Sequence, residues 1–134
     1  MEFNIRKLEP SDYEDILVGW WKAWGFKPPA KDFLPEHGVG GLLILDSKTP
    51  VCAGFIYLTN SKISWVNWIV SNKNYKSKKR SKAILTLLKS LINIAINSNS
   101  HYVFANNNNN SLISKFVNLG FTKGSSSTEL IYKI

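Results

Sequence analysis

Five cations, Lys76, Lys78, Lys79, Arg80 and Lys82, stand within seven positions, in the run Tyr75-Lys76-Ser77-Lys78-Lys79-Arg80-Ser81-Lys82-Ala83-Ile84-Leu85. The run leaves an apolar strand-like segment and enters a long amphipathic helix. A helix start carries about half a positive charge and unsatisfied N–H groups, so cations gathered there repel one another unless an anion sits among them. A phosphate group is the ligand such a loop suits, and the other reading is an ordinary solvated basic loop. Glu36 and His37 are the one adjacent acid and imidazole, a candidate pair for proton transfer or a solvated pair on a loop.

Acids are scarce around the basic run. Eight of the nine lie at or before Asp46 and the next is Glu129, while eleven lysines and arginines fall between them, in a chain of net charge +8. Such a segment attracts polyanions, which admits nucleic acid, acidic lipid headgroups or a phosphorylated cofactor. In a nucleic-acid reading Tyr75 and Trp65 or Trp68 would stack on bases, whereas the opposing reading puts both tryptophans in the core.

The elements that must position these groups follow from pattern. Phe3 to Leu8 alternates as a short strand, and Ser11-Asp12-Tyr13-Glu14 matches a capping box that opens a helix. Ile16, Leu17, Trp20, Trp21 and Trp24 then recur at helical spacing as a stripe that packs against a sheet, ending at Gly25. Residues 27–41 carry Pro28, Pro29, Pro35, Gly38, Gly40 and Gly41, the chemistry of a mobile substrate-side loop. Leu42–Leu45, Val51–Thr59 and Ile63–Val70 read as an antiparallel meander. In the last of these, period two puts Ile63, Trp65, Asn67 and Ile69 on one face and Val66, Trp68 and Val70 on the other. Ile84, Leu87, Leu88, Leu91, Ile92 and Ala95 predict a helix ending near Asn97. A strand over His101–Ala105, turns through Asn106–Asn110, a helix over Ser111–Leu119 stopped by Gly120, and a final strand near Glu129–Ile134 complete the chain.

At 134 residues the expectation is one domain, residues 1–134, with a real core. The lone Cys52 lies in an apolar run, so disulfides and multi-cysteine metal sites are excluded, no metal is expected, and a reducing, cytoplasmic setting is. The charged start and the lack of an apolar run near 18 residues predict neither a signal peptide nor a membrane span.

The element order resembles that of the GNAT N-acetyltransferases over nearly the whole chain. That family's Q/R-x-x-G-x-G/A signature, typically Y-R-G-K-G-I-G-K-A-L-L, lies on Tyr75 to Leu85 without a gap: its arginine meets Lys76, its next glycine Ser77, and its motif glycines Lys79 and Ser81. Its N-x-x-A-I-x-L-Y-E-K-L-G-F lies on Asn109 to Phe121, and Ile5-Arg6-Lys7-Leu8 with Ser11-Asp12-Tyr13 is similar to its opening. Short GNAT-like proteins of bacteriophage genomes are similar too. The resemblance implies an α+β fold, a mostly antiparallel mixed sheet with helices on both faces, ordered β-α-loop-β-β-β-α-β-α-β. It implies transfer of acetyl directly from acetyl-CoA to an amine of a small molecule or protein, with no membrane involved and a homodimer possible. Cofactor contacts would fall on Ile69, Val70, Lys76, Ser77, Lys78, Lys79, Arg80, Ser81, Lys82, Asn109 and Phe116. Serine hydroxyls and lysine side chains would take over part of what glycine backbone does for the pyrophosphate. Phe116 stands where the family's tyrosine returns a proton to the departing thiolate, and a phenyl ring cannot donate one. Asn67 is the nearest polar group to the family's strand-borne base. Catalytic residues are therefore not assigned. The alternative is a GNAT-shaped protein that binds nucleic acid or a protein partner through its basic segment without catalysing.

Overall fold

A computed structural model describes residues 3–134. Five strands form one sheet in chain order: β1 (Asn4–Lys7), β2 (Gly41–Asp46), β3 (Thr49–Leu58), β4 (Ile63–Ser71) and β5 (Tyr102–Phe104). The first four pair antiparallel and β5 joins β4 in parallel, as the mixed sheet expected from the sequence. Helix α1 (Val18–Ala23) covers one face; α2 (Lys79–Asn97) and α3 (Asn110–Asn118) cover the other.

Strand alternation sorts the core between the faces. On the α2 side Ile44, Cys52, Ile56 and Val66 meet Leu87, Leu88, Leu91 and Ala95. On the α1 side Leu43, Ala53, Phe55 and Val70 meet Leu17 and Trp21. β2 and β3, apolar on both faces, are thus central strands buried from both sides. Cys52 is fully buried, and burial pushes its thiol up to about 12.

Three expectations need correction. The capping box does not form: Asp12, not Ser11, is the residue that captures an N–H, accepting from Glu9 at 2.7 Å while the Arg6 guanidinium donates to both of its oxygens at 2.8 and 3.0 Å. Burial alone would raise the Asp12 carboxyl, but these donors hold it below the usual carboxylate range. Glu14 turns instead to Lys31 at 3.2 Å, and the helix begins as a π-wound stretch, Tyr13–Leu17. The proline- and glycine-rich loop is pinned rather than free, because the Tyr13 hydroxyl donates to Pro29 O at 2.7 Å, the Tyr57 hydroxyl donates to Phe33 O at 2.8 Å, and Leu34 is buried. The final strand does not form: residues 122–134 hold no regular element, and Leu130, Ile131, Tyr132 and Ile134 are exposed.

β4 carries the local irregularity that matters most. Ala53 pairs with Val70 and Phe55 with Asn67, so three steps on β4 oppose two on β3. The extra residue is absorbed at Trp68, whose φ of +58° lies in the left-handed region. Period two breaks there: Val66 and Ile69 both face α2, while Trp68 and Val70 face α1, so Ile69 parts from the face it was expected to share with Trp65 and Asn67. Gly54 makes room for this switch, since a Cβ there would lie 2.4 Å from Ile69 Cδ1 and 3.2 Å from Leu91 Cδ1. Overpacking a filled core costs about 1–3 kcal/mol. Gly54→Ala should therefore lower the unfolding free energy by about that amount, read as a lower midpoint in a urea titration; an unchanged midpoint would mean that the bulge is not held by this contact.

Candidate functional site

Pairing between β4 and β5 lasts only from Ile63↔Tyr102 to Trp65↔Phe104. Beyond Trp65, β4 runs on to Ser71 with no strand on that side, leaving an open slot of unpaired backbone that begins just before the bulge. The slot leads into the loop 72–78 and the start of α2. Ile69 and Val70, expected to share a ligand surface, lie at this edge on opposite faces, so what they have in common toward the slot is backbone rather than side chain.

The cationic run divides into two groups. Lys76, Lys78, Lys79 and Lys82 are exposed, and among the described residues none of them forms an ion pair. Arg80 turns inward: its guanidinium lies 5.6 Å from the centre of the Trp24 ring and donates weakly to Asn72 O at 3.4 Å. Lys73 approaches the same indole at 5.0 Å, and Trp24 Nε1 donates to Ser71 O at 2.8 Å. The third tryptophan of the α1 stripe thus ties the end of that helix to the basic loop, with Trp21 as core and Trp20 half-buried. Nothing in the spacing of Trp24 and Arg80 signals that contact, since the two are remote in sequence.

Ser77 acts locally as an anion would. Its Oγ accepts the Lys79 N–H at 3.1 Å, and its carbonyl accepts the Arg80 N–H at 3.1 Å. Two amides at the helix start are therefore occupied from within the loop, while the four free lysines remain for an external anion. A diphosphate fits this set in charge; taking the Lys79 amide as well requires it to displace the Ser77 hydroxyl. Ser81 is exposed one turn further on.

Tyr75 is not free for stacking, because its hydroxyl donates to Asp46 Oδ2 at 2.6 Å and that bond raises its pKa. Asn109 caps α3, its Oδ1 accepting the Leu112 N–H at 3.0 Å. Phe116, on the same helix, is 6% exposed and meets Phe121 edge-to-face at 4.9 Å in the α2-side core.

Glu36 and His37 are not brought to the basic loop. Both are exposed in a left-handed turn with φ of 50° and 55°, Glu36 is 3.5 Å from Lys7 Nζ, and the turn borders a hollow shared with Ile94. Ile94 lies fifteen residues past Lys79, roughly 22 Å along the helix. Asn67 does sit at the slot, half-buried beside the bulge and opposite Phe55.

An aromatic row on the α1 face escaped the sequence reading. Phe33 lies 6.5 Å from Trp68; Trp68 Nε1 donates to the Tyr57 hydroxyl at 2.7 Å; Tyr57 pairs across strands with Trp65; and Trp65 meets Phe104 at 5.2 Å. Burial raises the Tyr57 hydroxyl pKa against the Trp68 hydrogen bond. These five rings come from a loop and three strands, which only the folded register assembles.

No protein-family model matches the sequence, and no curated protein does. Several solved structures match over nearly the whole of both chains. Glucosamine-6-phosphate N-acetyltransferase of Arabidopsis thaliana superposes with a TM-score of 0.67 at 13% identity, covering 99% of this chain and 100% of that one. An aminoglycoside acetyltransferase from an uncultured soil metagenomic sample gives 0.67 at 11% identity over 98% and 96%. A transcriptional regulator of Bacillus halodurans gives 0.70 at 11% identity over 98% and 100%. The chain has the fold of the GNAT acetyltransferases. No described helix is long and apolar enough to cross a membrane, and no cluster of metal-ligating side chains occurs among the described residues.

Proposed function

We propose that this protein is an acetyl-CoA-dependent N-acyltransferase that passes acetyl directly to an amine. The observation that carries this reading is the unpaired edge of β4 beyond Trp65, which runs through the Trp68 bulge and ends at four exposed, unpaired lysines on the loop 72–78 and the start of α2. Bound there, acetyl-CoA supplies an activated thioester. Lys76, Lys78, Lys79 and Lys82 hold its phosphates, with the Ser77 and Ser81 hydroxyls as further donors. The backbone of Ile69 and Val70 offers the N–H and C=O groups that an extended amide-bearing arm can pair with, much as a strand would. Asn109 and Phe116 border the slot from α3. The acceptor amine approaches over the aromatic row, near Asn67. Positioning two reactants can lower a barrier by several kcal/mol, so water or the amine itself serves as the proton acceptor where no carboxylate stands.

Thermal unfolding with acetyl-CoA, free CoA and ATP at near-physiological salt tests the reading. Ligand at about a hundredfold over its dissociation constant adds roughly 2.7 kcal/mol, a rise of about ten degrees for a domain this size. A shift with both CoA species and little with ATP is expected. No selective shift would overturn the cofactor assignment.

A second reading, a GNAT-shaped binding protein without catalysis, is favoured by one observation: Phe116 is buried in core where a proton donor would stand. Nucleic acid fits it less well than a protein partner, since Tyr75 is bound to Asp46 and Trp65 and Trp68 are built into the aromatic row.

A further inference from the structure

Five rings cross the α1 face of the sheet where β4 and β5 part. Trp65↔Phe104 is the last pair before the slot opens, Tyr57 stands opposite Trp65 on β3, and Trp68 and Phe33 carry the row to the loop before β2. The row turns its polar atoms on itself: Trp68 Nε1 donates to the Tyr57 hydroxyl at 2.7 Å, and that hydroxyl donates to Phe33 O at 2.8 Å. What it offers a ligand is therefore ring surface, with Phe33 49% and Phe104 44% exposed at its two ends. A sugar or a phosphorylated acceptor finds little to hydrogen-bond along it, whereas a flat apolar ring needs no such partner. Asn67, paired with Phe55 and so on the same face, is the polar side chain beside the bulge. Among the described residues, β3, β4 and β5 carry no carboxylate.

Building on the transferase reading, we propose that the acceptor is an arylamine, an amino group borne directly on an aromatic ring. Its ring lies along the row from Phe33 to Phe104, and its nitrogen donates a hydrogen bond to Asn67 Oδ1. An alkylamine, like a lysine, is protonated at neutral pH and must give a proton to a base before it can attack. An arylamine shares its lone pair with its own ring and is unprotonated there, so it asks of the protein only a seat. The row supplies that seat, because edge-to-face and offset ring pairs contribute beyond the area they bury. An amide oxygen orients the N–H without taking the proton, which is what Asn67 can do. As the bond from nitrogen to the acyl carbon forms, the carbon–sulfur bond breaks and its electrons leave with sulfur. The nitrogen, made acidic by the aryl and acyl groups it then carries, gives its proton to water. Asn67 in the place of a strand-borne base thus suits this substrate.

Two measurements on the full chain test this. In heteronuclear NMR the indole N–H signals of Trp65 and Trp68 should move saturably as aniline is added, with or without acetyl-CoA. In an assay of CoA thiol release from acetyl-CoA, aniline and para-methoxyaniline should each exceed benzylamine at least about tenfold in kcat/KM. Phe33→Ala should raise the KM for aniline about 2- to 10-fold, the scale of one ring pair, and leave the melting shift by acetyl-CoA as it is. Asn67→Asp, which sets a base beside the bulge, should raise turnover of benzylamine about a hundredfold; a variant that binds acetyl-CoA and gains nothing on benzylamine would place the amine elsewhere. Preference for benzylamine with an intact acetyl-CoA shift would overturn the arylamine and leave the transferase standing. So would loss of aniline turnover in Asp32→Asn, since that exposed carboxylate neighbours Phe33 and would then be the base. No melting shift with acetyl-CoA is instead the failure of the transferase reading, and the aniline titration, which needs no cofactor, then decides whether the row seats an aromatic ring.

Discussion

With Lys78, Lys79 and Lys82 all changed to alanine, acetyl-CoA should bind about 30- to 1,000-fold more weakly, while the free protein melts no lower than before. Charge-assisted hydrogen bonds contribute about 1.5–3 kcal/mol each, and a net loss of about 2–4 kcal/mol over the three positions gives that range at about 1.4 kcal/mol per tenfold. Stability is spared because these side chains are exposed, form no ion pairs among the described residues and repel one another at a positive helix end. Arg80→Ala should do the reverse. Its guanidinium packs on Trp24 and donates to Asn72 O, so its loss should cost about 1 kcal/mol of stability and change cofactor affinity less than the lysines do. Isothermal titration and thermal melts on the same preparations separate the two effects. Undiminished binding by the triple variant would remove the basic run from the cofactor site.

Phe116→Tyr should raise turnover by about a hundredfold or more at unchanged cofactor affinity, the usual scale of general acid catalysis. Two environments are open to the new hydroxyl. If it reaches the slot beside β4 it can meet the departing thiolate, and the melting temperature holds. If it stays within the cluster around Phe121 it is a buried group without a partner, costing about 1–3 kcal/mol. Turnover with an amine panel and the melting point together tell these apart. A variant that melts normally, binds acetyl-CoA and acetylates nothing would support binding without catalysis.

Much of the fold was legible because it rests on repeating burial. Leu42–Leu45, Val51–Thr59 and Ile63–Val70 each match an observed strand to within two residues, and the α2 stripe through Leu87, Leu88, Leu91 and Ala95 is its buried face. Gly25 and Gly120 end their helices at φ of +82° and +106°, where only glycine is unstrained. The bulge was not legible, because Trp68 fits period two as well as its neighbours do, and the shift exists only relative to β3. Ser11-x-x-Glu14 misled for a similar reason: a remote Arg6 orients Asp12, and that geometry overrides the local motif. The candidate site divides in the same way. A charge cluster before a helix is a local signal, so the basic run was found, but the inward turn of Arg80 and the removal of Glu36 and His37 to the other end of α2 depend on contacts no window of sequence contains. The Glu129–Ile134 pattern reads as a strand whether or not an edge is at hand to receive it.

Cys52 bears on the order in which the substrates must meet. A relay enzyme parks its acyl group on a side-chain nucleophile, releases the first product and only then admits the second reactant. The one thiol in this protein is sealed in the α2-side core with its pKa pushed up to about 12, so at neutral pH it is neither ionised nor reachable. No acyl-cysteine can form while the fold stands. In the proposed direct transfer, donor and acceptor are instead held together on the sheet, one in the β4–β5 slot and the other over the aromatic row, in a complex of three that makes no use of Cys52.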